Sequence, residues 1–308
     1  MTPEDFAHAF DVPSARLPVE CVEFARRADL RYRVLQGAER DRTIVEVLKR
    51  IDADTQKIAS AERRDVWERG WREALQDYLA SGYSEEALVP RFIRPNQPVR
   101  LNRQYVVPSN PSFELEFVRV LRAWMFREYF AQAAEVHEFG CGTGFNLLAL
   151  SEIFPDKELY GSDFVPASVE LVKAIAKART LHLGARMFDM TAPDPEYPLR
   201  AGAGVFTFGS LEQLGGGFER FLQFLLERKP SVCVHVEPTV ELYEENELLD
   251  YLAARFHRKR GYTEGFLPRL RELAERGALE LVKVRRFNFG SLMMEGYSLL
   301  VWQPKESG

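Results

Sequence analysis

The sequence predicts an α/β fold: a seven-stranded, mostly parallel sheet closed by a terminal antiparallel hairpin, with a helical N-terminal domain in front of it. Three observations carry this. Short apolar runs alternate with longer helical stretches after Gln132, the pattern of a parallel sheet with helices on both faces. The last two apolar runs are joined by a short Gly-rich connection, which only antiparallel neighbours allow. The first 80 residues carry charge-rich helical periodicity instead.

In chain order, Val19 to Leu35 and Thr43 to Ser60 read as helical. Residues 61–80 are clearer, because Trp67, Trp71, Leu75, Tyr78 and Leu79 fall on one helical face. Gly82 ends that helix and Ser84 caps a short one after it. Five prolines (Pro90, Pro95, Pro98, Pro108 and Pro111) then keep the chain extended, since proline removes a donor and restricts its predecessor. We divide the chain at these changes of texture: a helical domain over 1–89, a Pro-rich crossing over 90–112, and an α/β domain over 113–308.

Helix resumes at Phe113, with Phe117, Val120, Leu121 and Trp124 on one face. Strands are expected at 135–139, 157–162, 184–188, 203–208, 231–237, 279–287 and 296–302. Helices are expected at 144–153, 166–179, 217–228 and 241–259.

Composition narrows the class. With 308 residues, 46% hydrophobic and 28% charged, the chain can bury a large core. A net charge of −5 gives no global attraction to nucleic acid or anionic membrane. Ten basic against four acidic residues over 255–286 could meet an anionic substrate, or form a solvated helical face. The three cysteines, Cys21, Cys141 and Cys233, have no paired spacing. No apolar run approaches the ~18 residues of a membrane span, and the acidic N-terminus has no signal-peptide core. We expect a cytoplasmic protein without a membrane partner.

The chemistry starts at Glu138-Phe139-Gly140-Cys141-Gly142-Thr143-Gly144. A strand runs into three glycines and a helix follows, so the backbone can turn sharply and approach a ligand. Asp163 ends the next strand, 19 positions after Gly144. There a carboxylate can accept both ribose hydroxyls of a nucleoside, or cap the helix that follows. Glycine at every second position departs from the dinucleotide spacing. An anionic Glu138 would oppose a pyrophosphate and favour a sulfonium or ammonium.

On these residues the chain resembles the class I S-adenosylmethionine-dependent methyltransferases, with a Rossmann-like fold. Their first motif matches Glu138 to Gly144. Asp163 stands at their ribose position, and Phe188-Asp189-Met190 where an acid meets the adenine amine. Phe208-Gly209-Ser210-Leu211-Glu212-Gln213-Leu214 stands where many members carry an apolar–acidic pattern. The resemblance implies S-adenosyl-L-methionine as cofactor, bound by Glu138, Gly140, Cys141, Gly142, Gly144, Asn146, Asp163, Phe164, Asp189, Met190, Ser210 and Leu211. Gln213 departs from small-molecule members that carry histidine there.

Acceptor residues follow from position. Cys233, His235 and Glu237 alternate on the fifth strand, whose carboxyl end faces the ligand side of such sheets. Glu237 and His235 are the expected catalytic residues; a buried sheet histidine is the alternative for His235. Arg94, Tyr105, Glu212, His257, Arg258 and Tyr262 are the expected substrate contacts; helix-terminal cations are the alternative for His257 and Arg258. No metal is expected. The resulting expectation is in-line methyl transfer to an oxygen or nitrogen of a small molecule, a sugar or biosynthetic intermediate. Competing readings are a protein or RNA methyltransferase, a non-catalytic nucleoside-binding module and a nicotinamide oxidoreductase. Nucleic acid is not an expected partner. The N-terminal domain is either a cap over the site or a dimerisation domain, so a homodimer stays open.

Overall fold

The computed structural model describes residues 1–58 and 63–305. Ser60 and residues 61–62, which end one expected helix and begin the next, lie outside the described residues, as do 306–308.

The N-terminal part holds α1 (Pro3–Phe10), α2 (Val19–Arg27), β1 (Tyr32–Val34), α3 (Gly37–Ala53) and α4 (Arg63–Ala80). The crossing folds into β2 (Val99–Leu101) and β3 (Gln104–Pro108). Then come α5 (Phe113–Phe130), β4 (Glu135–Phe139), α6 (Phe145–Ile153), β5 (Glu158–Asp163), α7 (Pro166–Arg179) and β6 (Leu183–Met187). β7 (Gly204–Phe208), α8 (Glu219–Arg228), β8 (Val232–Glu237), α9 (Leu248–Arg260), α10 (Phe266–Glu275), β9 (Leu279–Arg286), β10 (Phe289–Gly290) and β11 (Ser298–Pro304) complete the chain.

The main sheet runs β6-β5-β4-β7-β8-β11-β9. β6 to β8 are parallel and β11 is antiparallel to both β8 and β9, as the alternation and the final hairpin predict. β4 and β8 are buried along their whole length, because helices cover both faces. On one face α5 packs with the N-terminal helices: Phe10 stacks on Trp124 at 4.5 Å and Phe117 on Phe289 at 3.8 Å. On the other face Phe139, Phe188, Phe221, Leu270 and Trp302 form a second cluster.

Several expectations are corrected. The helix from Val19 stops at Arg27, and Tyr32–Val34 is a strand paired with Val106–Pro108. The Pro-rich crossing is extended, as expected, and its strands join a second, antiparallel sheet, β1-β3-β2-β10. The helix expected from 241 starts at Leu248, after a 3₁₀ turn at Val240–Leu242. α10 was not anticipated. Gly82 and Ser84 act as expected; Ser84 Oγ accepts from Glu86 N–H at 3.3 Å.

Two features position the site. α4 lies over the carboxyl ends of the strands, held to α7 by Glu68, which accepts from Ala167 N–H at 2.9 Å, and by the Arg72–Glu170 ion pair. Arg64 donates to the Phe164 carbonyl at 3.0 Å beside it. The segment between β10 and β11 is anchored by Arg286, which pairs with buried Asp250 at 2.6 Å and buried Glu295 at 2.7 Å.

Candidate functional site

Two compartments open beyond the carboxyl ends of β4, β5 and β7. Six residues line both of them: Arg63, Trp67, Trp71, Gly140, Gly209 and Gln213.

The glycine turn shapes the wall between β4 and α6. Gly140 has φ +73, and a Cβ there would lie 2.4 Å from Ser210 Cβ. Only glycine lets the strand end pass that close while adopting a left-handed conformation. Gly142, at φ +53, faces the Trp71 ring, 3.0 Å from where a Cβ would sit. Asp163 ends β5 and clasps this turn: its Oδ2 accepts from Gly142 N–H at 3.0 Å and its Oδ1 from Val165 N–H at 3.3 Å. Burial pushes its carboxyl up to about 6, while the backbone donors pull it down. Val165, not Asp163, occupies the N-cap of α7.

The Asp163 compartment has a volume of about 420 Å³. Of the expected cofactor residues, Gly140, Asp163, Phe164, Asp189, Met190 and Ser210 line it. Asp189 Oδ1 accepts from Thr191 N–H at 2.8 Å, which fixes that loop.

The Glu114 compartment is larger, about 570 Å³. Glu138, Cys141, Gly142 and Asn146 line it with Gly140, as do Arg94, Glu212 and Tyr262. Glu138 is 1% exposed. Its Oε1 accepts from Asn146 Nδ2 at 2.7 Å, and its Oε2 has no partner among the described residues. Burial raises the Glu138 carboxyl to about 8 against the pull of Asn146 and Arg122. Glu212 rises to about 8 as well, through burial and the charge of Glu237.

Other expected residues are not brought to either compartment. Gly144 caps α6 and packs towards Val172 and Ile175. Leu211 is buried in the second core cluster. His235 is fully buried, and both ring nitrogens are engaged. Trp302 Nε1 donates to its Nε2 at 3.0 Å, so Nδ1 carries the proton and donates to Thr207 Oγ1 at 2.9 Å. Burial drives this imidazole down to about 3. It therefore stays neutral inside the sheet and cannot take an acceptor's proton.

Glu237 points back into the protein as well. It accepts the backbone N–H groups of Ser210, Leu211 and Glu212 at 3.2, 3.1 and 3.2 Å. It satisfies the free donors of the 3₁₀ helix after β7 and is a structural cap, not a base. Tyr105 is 1% exposed in a core cluster with Val47, Ile51 and Phe256. His257 donates from Nε2 to the Thr263 carbonyl at 2.8 Å and is buried. Arg258 forks between Glu245 and Glu264 on the surface. The alternative of a buried sheet histidine therefore describes His235 and that of a helix-terminal cation Arg258, while burial lowers the His257 imidazole and keeps it from being such a cation.

Sequence reasoning missed Glu114, Tyr297 and the site role of Trp67 and Trp71. The tryptophans stack at 5.3 Å and line both compartments; their i, i+4 spacing places them on one helical face but does not say what that face meets. Glu114, in the first turn of α5, resembles any acid favoured by a helix N-terminus. Yet it is 3% exposed and accepts from Tyr297 Oη at 2.9 Å. Among the described residues, no group of three or more His, Cys, Asp or Glu could hold a metal ion, and no helix is long and apolar enough to cross a membrane.

No family model matches the chain, and no curated protein does. Solved structures do. One is an O-methyltransferase from neocarzinostatin biosynthesis in complex with S-adenosylmethionine and 2-hydroxy-5-methyl naphthoic acid. It is 17% identical with TM-score 0.41; the alignment covers 64% of this chain and 59% of that one, less than two thirds of its length. A geranyl diphosphate C-methyltransferase from Streptomyces coelicolor A3(2) is 12% identical over 75% of this chain and 98% of that one, with TM-score 0.46. An N,N-8-amino-8-demethyl-D-riboflavin dimethyltransferase from Streptomyces davawensis is 14% identical over 99% of this chain and 89% of that one, with TM-score 0.44.

Proposed function

We propose that the chain is an S-adenosylmethionine-dependent methyltransferase that moves a methyl group to an oxygen or nitrogen of a small molecule. One observation supports this above the others. A compartment edged by a strand-end carboxylate meets a second compartment across the glycine turn, so a donor and an acceptor could meet at Gly140. The second volume, about 570 Å³, lies within the ~300–1,000 Å³ usual for small ligands.

The residues fit the cofactor. Asp163 would accept the ribose hydroxyls, Asp189 would face the adenine amine, and Phe164 and Met190 would flank the base. Glu138 is suited to an ammonium group, because its orphaned Oε2 has a carboxylate's need for a donor. When bound, S-adenosylmethionine supplies a methyl carbon already activated by a sulfonium.

The chain's own contribution is alignment and exclusion of water. Trp67 and Trp71, carried on α4, roof the junction of the two compartments. Gly140 and Gly142 keep side-chain bulk out of the contact. Glu114, buried, and Glu212, half-buried, both lie on the acceptor side and can hold a proton at a carboxyl oxygen.

Calorimetric titration of S-adenosylhomocysteine and of NAD separates this reading from a nicotinamide oxidoreductase. The homocysteine compound should bind and NAD should not; the reverse preference would sink the proposal.

A further inference from the structure

The Glu114 compartment gathers three acidic side chains. Glu114, Glu138 and Glu212 all border it. Glu114 Oε1 accepts from Tyr297 Oη at 2.9 Å, and its Oε2 is buried without a hydrogen-bond partner, as is Glu138 Oε2. Three of the five arginines on the lining are already matched: Arg50 by Glu46, Arg91 by Glu73 and Arg260 by Asp54. Arg63 lies over the Trp67 ring on the α4 side, and Arg94 is exposed.

Resting on the methyltransferase reading, we propose that the atom methylated is an amine nitrogen, held against the free oxygen of Glu114. Charge decides between nitrogen and oxygen. As a neutral amine attacks, the N–C bond forms, the C–S bond breaks and the sulfonium becomes a neutral thioether. Positive charge appears on nitrogen, and the N–H proton passes to the Glu114 carboxylate. The Glu114 carboxylate stabilises that developing cation. An alcohol or phenol that gives its proton to the same carboxylate develops no cation for it to hold, and a preformed oxyanion beside it is opposed.

Two further observations agree. An ammonium N–H satisfies the buried Oε2 of Glu114 with a charge-assisted bond, whereas a hydroxyl brings a neutral donor and an ether or oxyanion leaves the oxygen orphaned. Burial lifts Glu114 to about 7, so this carboxyl can both release and take a proton near neutrality. The stacked Trp67–Trp71 pair and the Tyr262 and Tyr297 rings on the lining suit an arylalkyl amine, whose ammonium form also gains from ring faces.

The probes are benzylamine, benzyl alcohol and benzoate, titrated calorimetrically with and without S-adenosylhomocysteine. Benzylamine should bind about tenfold more tightly than benzyl alcohol, the worth of one hydrogen bond to a buried charge, and benzoate most weakly. Glu114→Gln should erase the amine preference and leave S-adenosylhomocysteine affinity unchanged. Tyr297→Phe, which keeps the carboxyl, should retain the preference, and serves if Glu114→Gln does not fold. Benzyl alcohol or benzoate binding as well as the amine, or no binding of the amine, overturns the proposal while S-adenosylhomocysteine still binds. Amine preference in a protein that fails to bind S-adenosylhomocysteine instead removes the methyltransferase reading and leaves an amine site.

Discussion

The two compartments are built by different means. The Asp163 compartment is floored by strand ends and turns, with Arg63, Arg64, Trp67 and Trp71 of α4 as its other wall: Gly140, Asp163, Phe188–Met190 and Ser210 sit at the carboxyl ends of consecutive parallel strands. Its floor follows from backbone geometry that Gly140 and Asp163 impose, Asp163 holding the turn through Gly142 N–H. The Glu114 compartment is made of side chains from remote segments, from Arg50 on α3 to Tyr297 beside β11. Its shape depends on how α4, the second sheet and the 291–297 segment pack over the first. The backbone-built half should tolerate no change in its turn, and the side-chain-built half should change specificity residue by residue.

The sharpest way to break that contrast is Gly140→Ala. A Cβ at φ +73 and 2.4 Å from Ser210 should cost roughly 2–5 kcal/mol, the sum of left-handed strain and overpacking. A denaturant titration checks the stability, and S-adenosylhomocysteine binding should fall with it. Next is His235→Ala. Removing the ring orphans Trp302 Nε1 and Thr207 Oγ1 at a cost of about 1–3 kcal/mol for each buried group, with ligand binding in the folded protein unchanged. This histidine also sets a pH dependence. Its folded value of about 3 lies below the ordinary 6.5, so the unfolded chain takes up its proton first. The stability linked to its neutral burial is whole above pH 6.5 and drains away as pH falls from there towards 3. The variant should lose that slope in acid denaturation curves.

A smaller effect concerns Glu138. With its carboxyl raised to about 8, the empty site holds a proton at neutral pH. Pairing with an ammonium needs the carboxylate, so S-adenosylhomocysteine binding should release protons below pH 8. Affinity should climb as pH rises to that point, by at most about tenfold per pH unit. Calorimetry in buffers of different ionisation enthalpy reads the release. The least effect is expected of Arg258→Ala, a surface change within about 0.5 kcal/mol, with no change in binding of either ligand.

These differences also explain what could be read in the sequence. The parallel sheet, its terminal hairpin and the glycine turn are local: each is fixed by periodicity or by residues a few positions apart. Asp163 follows from the same local logic, since a strand end after the turn has one place to be. His235 and Glu237 misled for a physical reason. Strand alternation gives a face, but not whether that face meets a cleft or a helix, and here α10 and Trp302 cover His235 while the 3₁₀ donors claim Glu237. Glu114 and Tyr297 lie 183 positions apart, and nothing local to either announces the contact. The tryptophan face of α4 was visible, but where α4 docks depends on Glu68 and Arg72 meeting α7.

The central claim is that Asp163 closes a nucleoside pocket across the glycine turn. The most direct measurement is calorimetric titration of S-adenosylhomocysteine into the wild-type protein and Asp163→Ala. Binding to wild type, weakened by ~1–3 kcal/mol in the folded variant, is the predicted loss of a buried hydrogen-bonding anion. No binding to folded wild type, or equal binding to both proteins, would contradict it.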